Sequence, residues 1–343
     1  MAYLNAPSME QWTRLFDITL KINDLKPWTW MNEADFFGLR HPETGELNLV
    51  TILGALGEYH SIIIYRGIKG ITGFLEIEYA RENLKPEQLL EIPQVHVSFE
   101  DRAEMEPVDL EIIKKLGIKV RGSKAWPQFR SYRPGYLPWY IETDEAELLI
   151  IALEQSARIS QRFRADPKIF NLPPEEWLVC VMRSEGGHPV WEDVPMVLPR
   201  PEQSGQISIP IASQTLAAVK NLPRSDAALE ISLTMIPVSI GKKDVRPKSG
   251  YALLMVEGES GIIAGVQVLE VKTTLEDMWG SIPQHILMLF IKSELLPKEI
   301  KVNTDLMAGL CELFAEELGI ELKENARLKM TESALKSLAA YLH

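Results

Sequence analysis

Apolar side chains recur at helical spacing after Ser8, at Trp12, Leu15, Phe16 and Ile22, with Thr19 on the same face. Ser8 followed by Gln11 is a capping-box pattern, so an amphipathic helix opens the chain. The period then shortens to that of extended chain. "DFFGLR", "ELNLVTILG" and "YHSIIIYRG" predict three strands in a meander, the first two joined by the turn "HPETG". A short helix over 84–91, a strand over 95–99 and a helix in "PVDLEIIKKLG" follow, the last with Pro107 near its start and Gly117 at its C-terminal cap. "IKVRG" reads as a further strand, and Thr143, Asp144 and Glu145 start a long helix that runs to about Arg164, before Pro167.

The second half repeats this order. Strands are predicted at "WLVCVM" and around Trp191, a loop over 198–206 and a short helix over 215–220. "ALEISLTMIPV", "YALLMV" and "IIAGVQVLEV" are three strands, a helix covers 275–295, and "EIKV", "DLMAGLCELFAEELG", "IELKE" and 331–342 alternate strand with helix. Both halves therefore read as βββαβαβα. The segments 92–120 and 296–322 share strand, helix, "LGI" and strand, the pattern of an internal duplication. The fold class is α/β with mixed sheets. The domains are 1–170, containing an aromatic and basic loop at 121–140, a connecting region of strands and linker at 171–225, and 226–343.

Composition supports a folded chain, since 46% of the 343 residues are hydrophobic and 24% charged. The only cysteines, Cys180 and Cys311, lie far apart and show no zinc spacing, which suits a reducing cytoplasm. The opening "MAYLNAPSMEQW" has no basic start or apolar core, so no secretory signal is expected. No apolar run approaches the ~20 residues needed to cross a bilayer, so no membrane association is expected. A net charge of -12 repels phosphate backbones and argues against nucleic acid as a partner.

Against that charge, "RGSKAWPQFRSYRPGYLPWY" (121–140) carries Arg121, Lys124, Arg130 and Arg133, six aromatic residues and no acid. Pro127, Pro134, Pro138 and Gly135 exclude a helix, so the stretch reads as an ordered loop between a strand and a long helix. In one reading Arg130 and Arg133 hold a phosphate or carboxylate while Trp126, Phe129, Tyr132, Tyr136 or Trp139 stacks on a flat ligand such as a base. In the other, preferred, the aromatics plug the core and the arginines pair with local acids. The stretch still outranks every other as a candidate ligand site. Trp28 and Trp30 in "PWTWMNEADFF" alternate as extended residues do, so one of them can line a pocket. The glycines of "RGIKGITG" lack dinucleotide-loop spacing and suit close helix packing instead. The histidines read as core or surface residues.

Three antiparallel strands followed by αβαβα is the element order of the ribonuclease H-like fold. Residues 226–342, through "YALLMVEGESGIIAGVQVLEVKTTLEDMW" and "PKEIKVNTDLMAGLCELFAEELGIEL", resemble its integrase and transposase branch. That resemblance implies carboxylates holding two Mg²⁺ or Mn²⁺ ions. The corresponding positions here are Glu230 and Ser232 on the first strand, Asn303 and Asp305 after the fourth, and Glu332 on the last helix. An amide at 303 cannot supply a carboxylate's charge, so the likeness implies a fold more than a chemistry. In the N-terminal half the matching acids are Asp35, Glu100, Asp101 and Glu147.

The whole chain also resembles a family of two-domain bacterial proteins without an assigned activity. "PWTWMNEADFFGL", "HPETGE", "VSFEDRAEM", "AWPQFRSYRPGYLPWYI" and "SGIIAGVQV" carry the likeness. The functional expectation is a non-catalytic intracellular protein that binds a protein partner or a small anionic ligand and needs no cofactor. The alternative is a metal-dependent nuclease or phosphodiesterase.

Overall fold

The computed structural model describes residues 3–57, 59–79, 86–197, 207–242 and 244–342. The chain divides into two compact units, one of Met1–Ser204 with Lys242–Arg246, the other of Gly205–Gly241 with Pro247–His343. The loop expected over 198–206 lies outside the described residues, as do the first two residues of the short helix expected over 84–91.

In the first unit α1 (Met9–Leu25) starts where expected, with Ser8 Oγ accepting the Gln11 amide and Gln11 Oε1 accepting that of Ser8. A 3₁₀ turn, Pro27–Thr29, leads to β1 (Phe37–Arg40), β2 (Leu47–Leu53) and β3 (Ser61–Tyr65). Next come α2 (Gly67–Tyr79), α3 (Pro86–Leu89), β4 (Gln94–Glu100) and α4 (Pro107–Lys115). The unit closes with β5 (Trp126–Tyr132), α5 (Thr143–Ala165), β6 (Glu176–Glu185) and β7 (His188–Val197). Seven strands form one sheet in the order β5-β4-β3-β2-β1-β6-β7, in which only β1 and β6 pair in parallel.

Alternation along the strands feeds two apolar layers. Val50, Ile52, Ile62, Ile64, Val95 and Val97 meet Leu15 and Phe16 of α1 and Leu149 and Leu153 of α5, while Leu49, Ile63 and Tyr65 meet Ile71 and Phe74 of α2. Covered on both faces, β2 and β3 are buried along almost their whole length despite their antiparallel pairing, with Asn48, Thr51 and Ser61 buried among the apolar residues. Gly70 and Gly73 let α2 approach closely, since a Cβ on Gly70 would lie 2.7 Å from the Pro93 oxygen and one on Gly73 2.8 Å from Ile92. That is the packing role expected of "RGIKGITG".

Two predicted elements of this unit change. "IKVRG" forms no strand, and the segment read as a loop over 121–140 contains β5. Pro127 is tolerated because β5 is an edge strand, where a missing N–H need not break a ladder. The strands at "WLVCVM" and Trp191, expected in a connecting region, are β6 and β7 of the first sheet. Asp193 on β7 is gripped there by Arg158 and Arg162 of α5, and Arg158 also donates to Cys180 Sγ at 3.3 Å.

The second unit contains α6 (Ser213–Lys220), β8 (Ala228–Ile240), β9 (Lys248–Glu257), β10 (Ile263–Leu269) and α7 (Leu275–Ser293), then β11 (Glu299–Val302), α8 (Asp305–Leu318), β12 (Glu321–Glu324) and α9 (Lys329–Leu342). Its five strands run β10-β9-β8-β11-β12, antiparallel among the first three and parallel from β8 onward. Ala334 of α9 covers Leu254 and Val256 on one face, while Gly265 of β10 lets Leu289 of α7 pack tightly. The expected internal duplication is not realised. β4 adds antiparallel to β3, whereas β11 adds in parallel to β8, so similar strings of helix and strand build different sheets. Among the described residues, no helix is long and apolar enough to cross a membrane.

Candidate functional site

Three loops of the first unit converge beside the start of β3 and β5 and line a cavity of about 790 Å³. The first follows α1. Lys26 ends that helix in the left-handed conformation, at φ 54°, and its amide still reaches the Ile22 oxygen. Pro27 then sets the 3₁₀ turn that carries Trp28 and Trp30. The second, between β2 and β3, brings His60 onto Trp28, their rings stacked 4.5 Å apart at 13°. Gly54 makes this possible: its φ is +135°, and a Cβ there would lie 2.6 Å from His60 Cδ2. The third is the turn before β5, with Arg121 exposed and Lys124 at φ 49°.

The electrostatics of this cavity oppose those of the whole chain. Among the described residues, Lys26, Arg121 and Lys124 line it against the single acid Asp24. His60 registers the field: burial, then the charges of Lys124 and Lys26, lower its pKa from the ordinary value, so the ring is neutral at neutral pH. Arg121 makes no ion pair with a described residue, while Lys124 Nζ donates to the Gly57 oxygen at 2.6 Å. Of the five non-glycine residues with positive φ among the described residues, two, Lys26 and Lys124, border this one cavity. Backbone held in such conformations concentrates at functional sites.

The acids that the alternative nuclease reading offered do not gather into one group, and each is engaged. Asp35 accepts from the Asn32 amide and side chain at 2.9 Å. Glu147 accepts from Gln11 and pairs with Arg14. Asp101 accepts the Lys124 amide at 2.9 Å, and its bonds to Ser123 and to that amide hold its pKa low. It thus fastens the end of β4 to the turn that bears Arg121 and Lys124. Glu100 is raised by burial, with Glu104 adding repulsion. In the second unit Glu230 is buried and accepts the Thr331 amide at 2.8 Å, and the hydroxyls of Ser232 and Thr331 find no partner. No group of three or more His, Cys, Asp or Glu residues placed to hold a metal occurs among the described residues.

The expected ligand-binding residues divide. Trp28 and Trp30 line the cavity, but Trp28 is buried, and Trp30 donates Nε1 to the Ser160 oxygen under the Arg164 guanidinium. Arg130 is buried and forms a two-pronged pair with Asp109 at 3.0 and 2.7 Å, over the Tyr140 ring. Arg133 binds Glu142 and the fully buried Glu145, which also accepts from Arg66 at 3.0 Å and Ser131 Oγ at 2.6 Å. Tyr132 stacks on His96 and borders, with Arg66 and Arg133, a second cavity of about 350 Å³. The arginines there are spent on Glu142, Asp144 and Glu145. Trp139 runs its backbone beside Ser131 as a bridge to β5. The cations at the larger cavity come from the same basic stretch, from Arg121 and Lys124 at its start. The sequence reading took His60, with the other histidines, for a core or surface residue; the signal it passed over was its place after the glycines of "GALGEYH", at the mouth of a strand.

No curated protein matches the chain. Two family models do. Residues 12–180 match one described as a domain of unknown function, DUF7309, and residues 215–339 match another of the same description, DUF6930. The chain is thus a two-domain α/β protein that pairs a DUF7309 domain with a DUF6930 domain.

Proposed function

We propose that the protein binds a small anionic ligand in the cavity lined by Lys26, His60, Arg121 and Lys124, and that it does so without catalysis. One observation carries the reading: on a chain of net charge -12, three cations converge on one concave surface where two of them are held in left-handed backbone. Sites that combine a concave apolar wall with a few convergent polar groups are where small molecules bind. Trp28 and Trp30 supply the wall, and a neutral imidazole supplies a group that accepts or donates one hydrogen bond. Cys180 and Cys311 are both buried and unbridged, which suits a cytoplasmic setting.

The C-terminal unit is proposed to be ribonuclease H-like in connectivity. The order β10-β9-β8-β11-β12, with β11 and β12 parallel to β8, supports this reading.

The test is calorimetric titration with inorganic phosphate, citrate, a sugar phosphate and a nucleoside monophosphate. Binding of at least one anion by the wild type, weakened tenfold or more in Lys26→Ala/Arg121→Ala with an unchanged melting temperature, is the expected result. If none of the anions binds, or the double variant binds as tightly as the wild type, the proposal is wrong.

A further inference from the structure

The two sheets end in four edge strands, and three of them carry features that block pairing with another chain. β5 contains Pro127 and is flanked by the Trp139 bridge. β7 contains Pro189 and Pro195 with Glu192 and Asp193 between them. β12 has four residues, three of them charged. β10 differs: its sequence, IAGVQVL, holds no proline and no charge, and its one irregularity is a register shift between Ile263 and Gly265. Beyond that shift, residues 265–269 pair regularly with β9, and among the described residues no strand pairs with their other side. Val266 and Val268 are 46% and 52% exposed on one face of this strand, next to Ile262 at 67%.

We propose that β10 is a self-association edge, where two copies of this chain pair their β10 strands antiparallel about a twofold axis at Gln267. An antiparallel pair of identical strands is isologous, so each contact occurs twice. In this register Val266 of one copy faces Val268 of the other, both on the same side of the joined sheet, and the exposed valines cover each other as cross-strand pairs. The same register brings Lys272, just past the strand, beside the other copy's turn after β9, which carries Glu259 and follows Glu257 at the end of that strand. Unlike charges therefore meet at both ends of the seam. That complementarity selects a second copy as the occupant over an unrelated strand.

The full chain, of 38.8 kDa, is examined by sedimentation over a dilution series, alone and as Val266→Lys/Val268→Lys. Both positions are exposed, so the variant is expected to keep the wild-type melting temperature and to lose the dimer wherever the wild type is dimeric. Gln267→Cys places two thiols at the axis, where opposed Cβ atoms lie about 4.5–5.5 Å apart, and is expected to cross-link under mild oxidation, while Glu321→Cys on β12 stays unlinked. A wild type that is monomeric throughout, a dimer that survives the two lysines, or a Gln267→Cys chain that never links would each overturn the proposal.

Discussion

Trp28 and His60 stack face to face, 4.5 Å between ring centres, and Gly54 is the residue whose missing side chain leaves room for them. Gly54→Ala adds a methyl group at φ +135°, a backbone region that disfavours any side chain, at a cost of about 1–3 kcal/mol. It should also push His60 out of the stack and weaken anion binding. Gly57→Ala is the control: its φ is +78°, nothing lies within 4 Å of the added carbon, and His60 stays in place. Melting curves and titrations on the two variants separate backbone strain from damage to the site.

Asp101 acts on the site through the backbone. Asp101→Ala releases the Lys124 amide and the turn bearing Arg121, so anion binding is expected to fall severalfold. Asp101→Asn keeps an oxygen that can accept the same N–H and should recover most of the loss. Equal impairment by both substitutions in calorimetry would show that the negative charge of Asp101 matters, not the hydrogen bond.

His96 is expected to contribute to the response to acid. Burial lowers its pKa to about 3, and its Nε2 has no hydrogen-bond partner. The unfolded chain takes up a proton near pH 6.5, and the folded chain resists it until about pH 3. In that window the unfolded state binds more protons, so stability is lost progressively as pH falls from about 6.5. At about 1.4 kcal/mol for each pH unit the loss amounts to a few kcal/mol. Urea midpoints measured against pH should decline less steeply for His96→Phe; parallel curves would exclude His96 as the cause.

Arg130 and Asp109 form a buried pair, so removal of either partner strands a charge. Arg130→Met alone is expected to cost about 3–5 kcal/mol, and Arg130→Met with Asp109→Leu much less. Anion binding at the larger cavity should survive in the double variant. Denaturant unfolding of the singles and the double closes the cycle.

These residues also show how far the sequence reached. The helices α1 and α5 and the strands β1 to β4 were legible because capping residues and alternation are local signals, as Ser8 with Gln11 illustrates. β5 was hidden behind Pro127, since strand position at an edge, which makes that proline harmless, is a property of the sheet and not of the segment. The apparent repeat failed for the same reason: the direction in which β4 and β11 join their neighbours is written in no local pattern. At the site, the sequence offered two accounts of the basic stretch, a ligand groove at Arg130 and Arg133 or a core plug whose arginines pair with local acids, and singled out neither Arg121 nor Lys124. Which acid each arginine takes depended on folding: Asp109, 21 residues before Arg130, and Glu145, 12 residues after Arg133. His60 gained its place through Lys26 and Lys124, its neighbours only after folding.

Glu145 is a knot of long-range obligations. Its carboxylate, with no surface of its own, receives Arg66 from the end of β3, Ser131 from β5 and Arg133 from the segment before α5. No one of these positions can change charge without leaving the others mismatched in the interior. Through sequence divergence the Arg66, Arg133 and Glu145 positions should therefore be kept or replaced together, a heritable unit whose members are scattered along the gene.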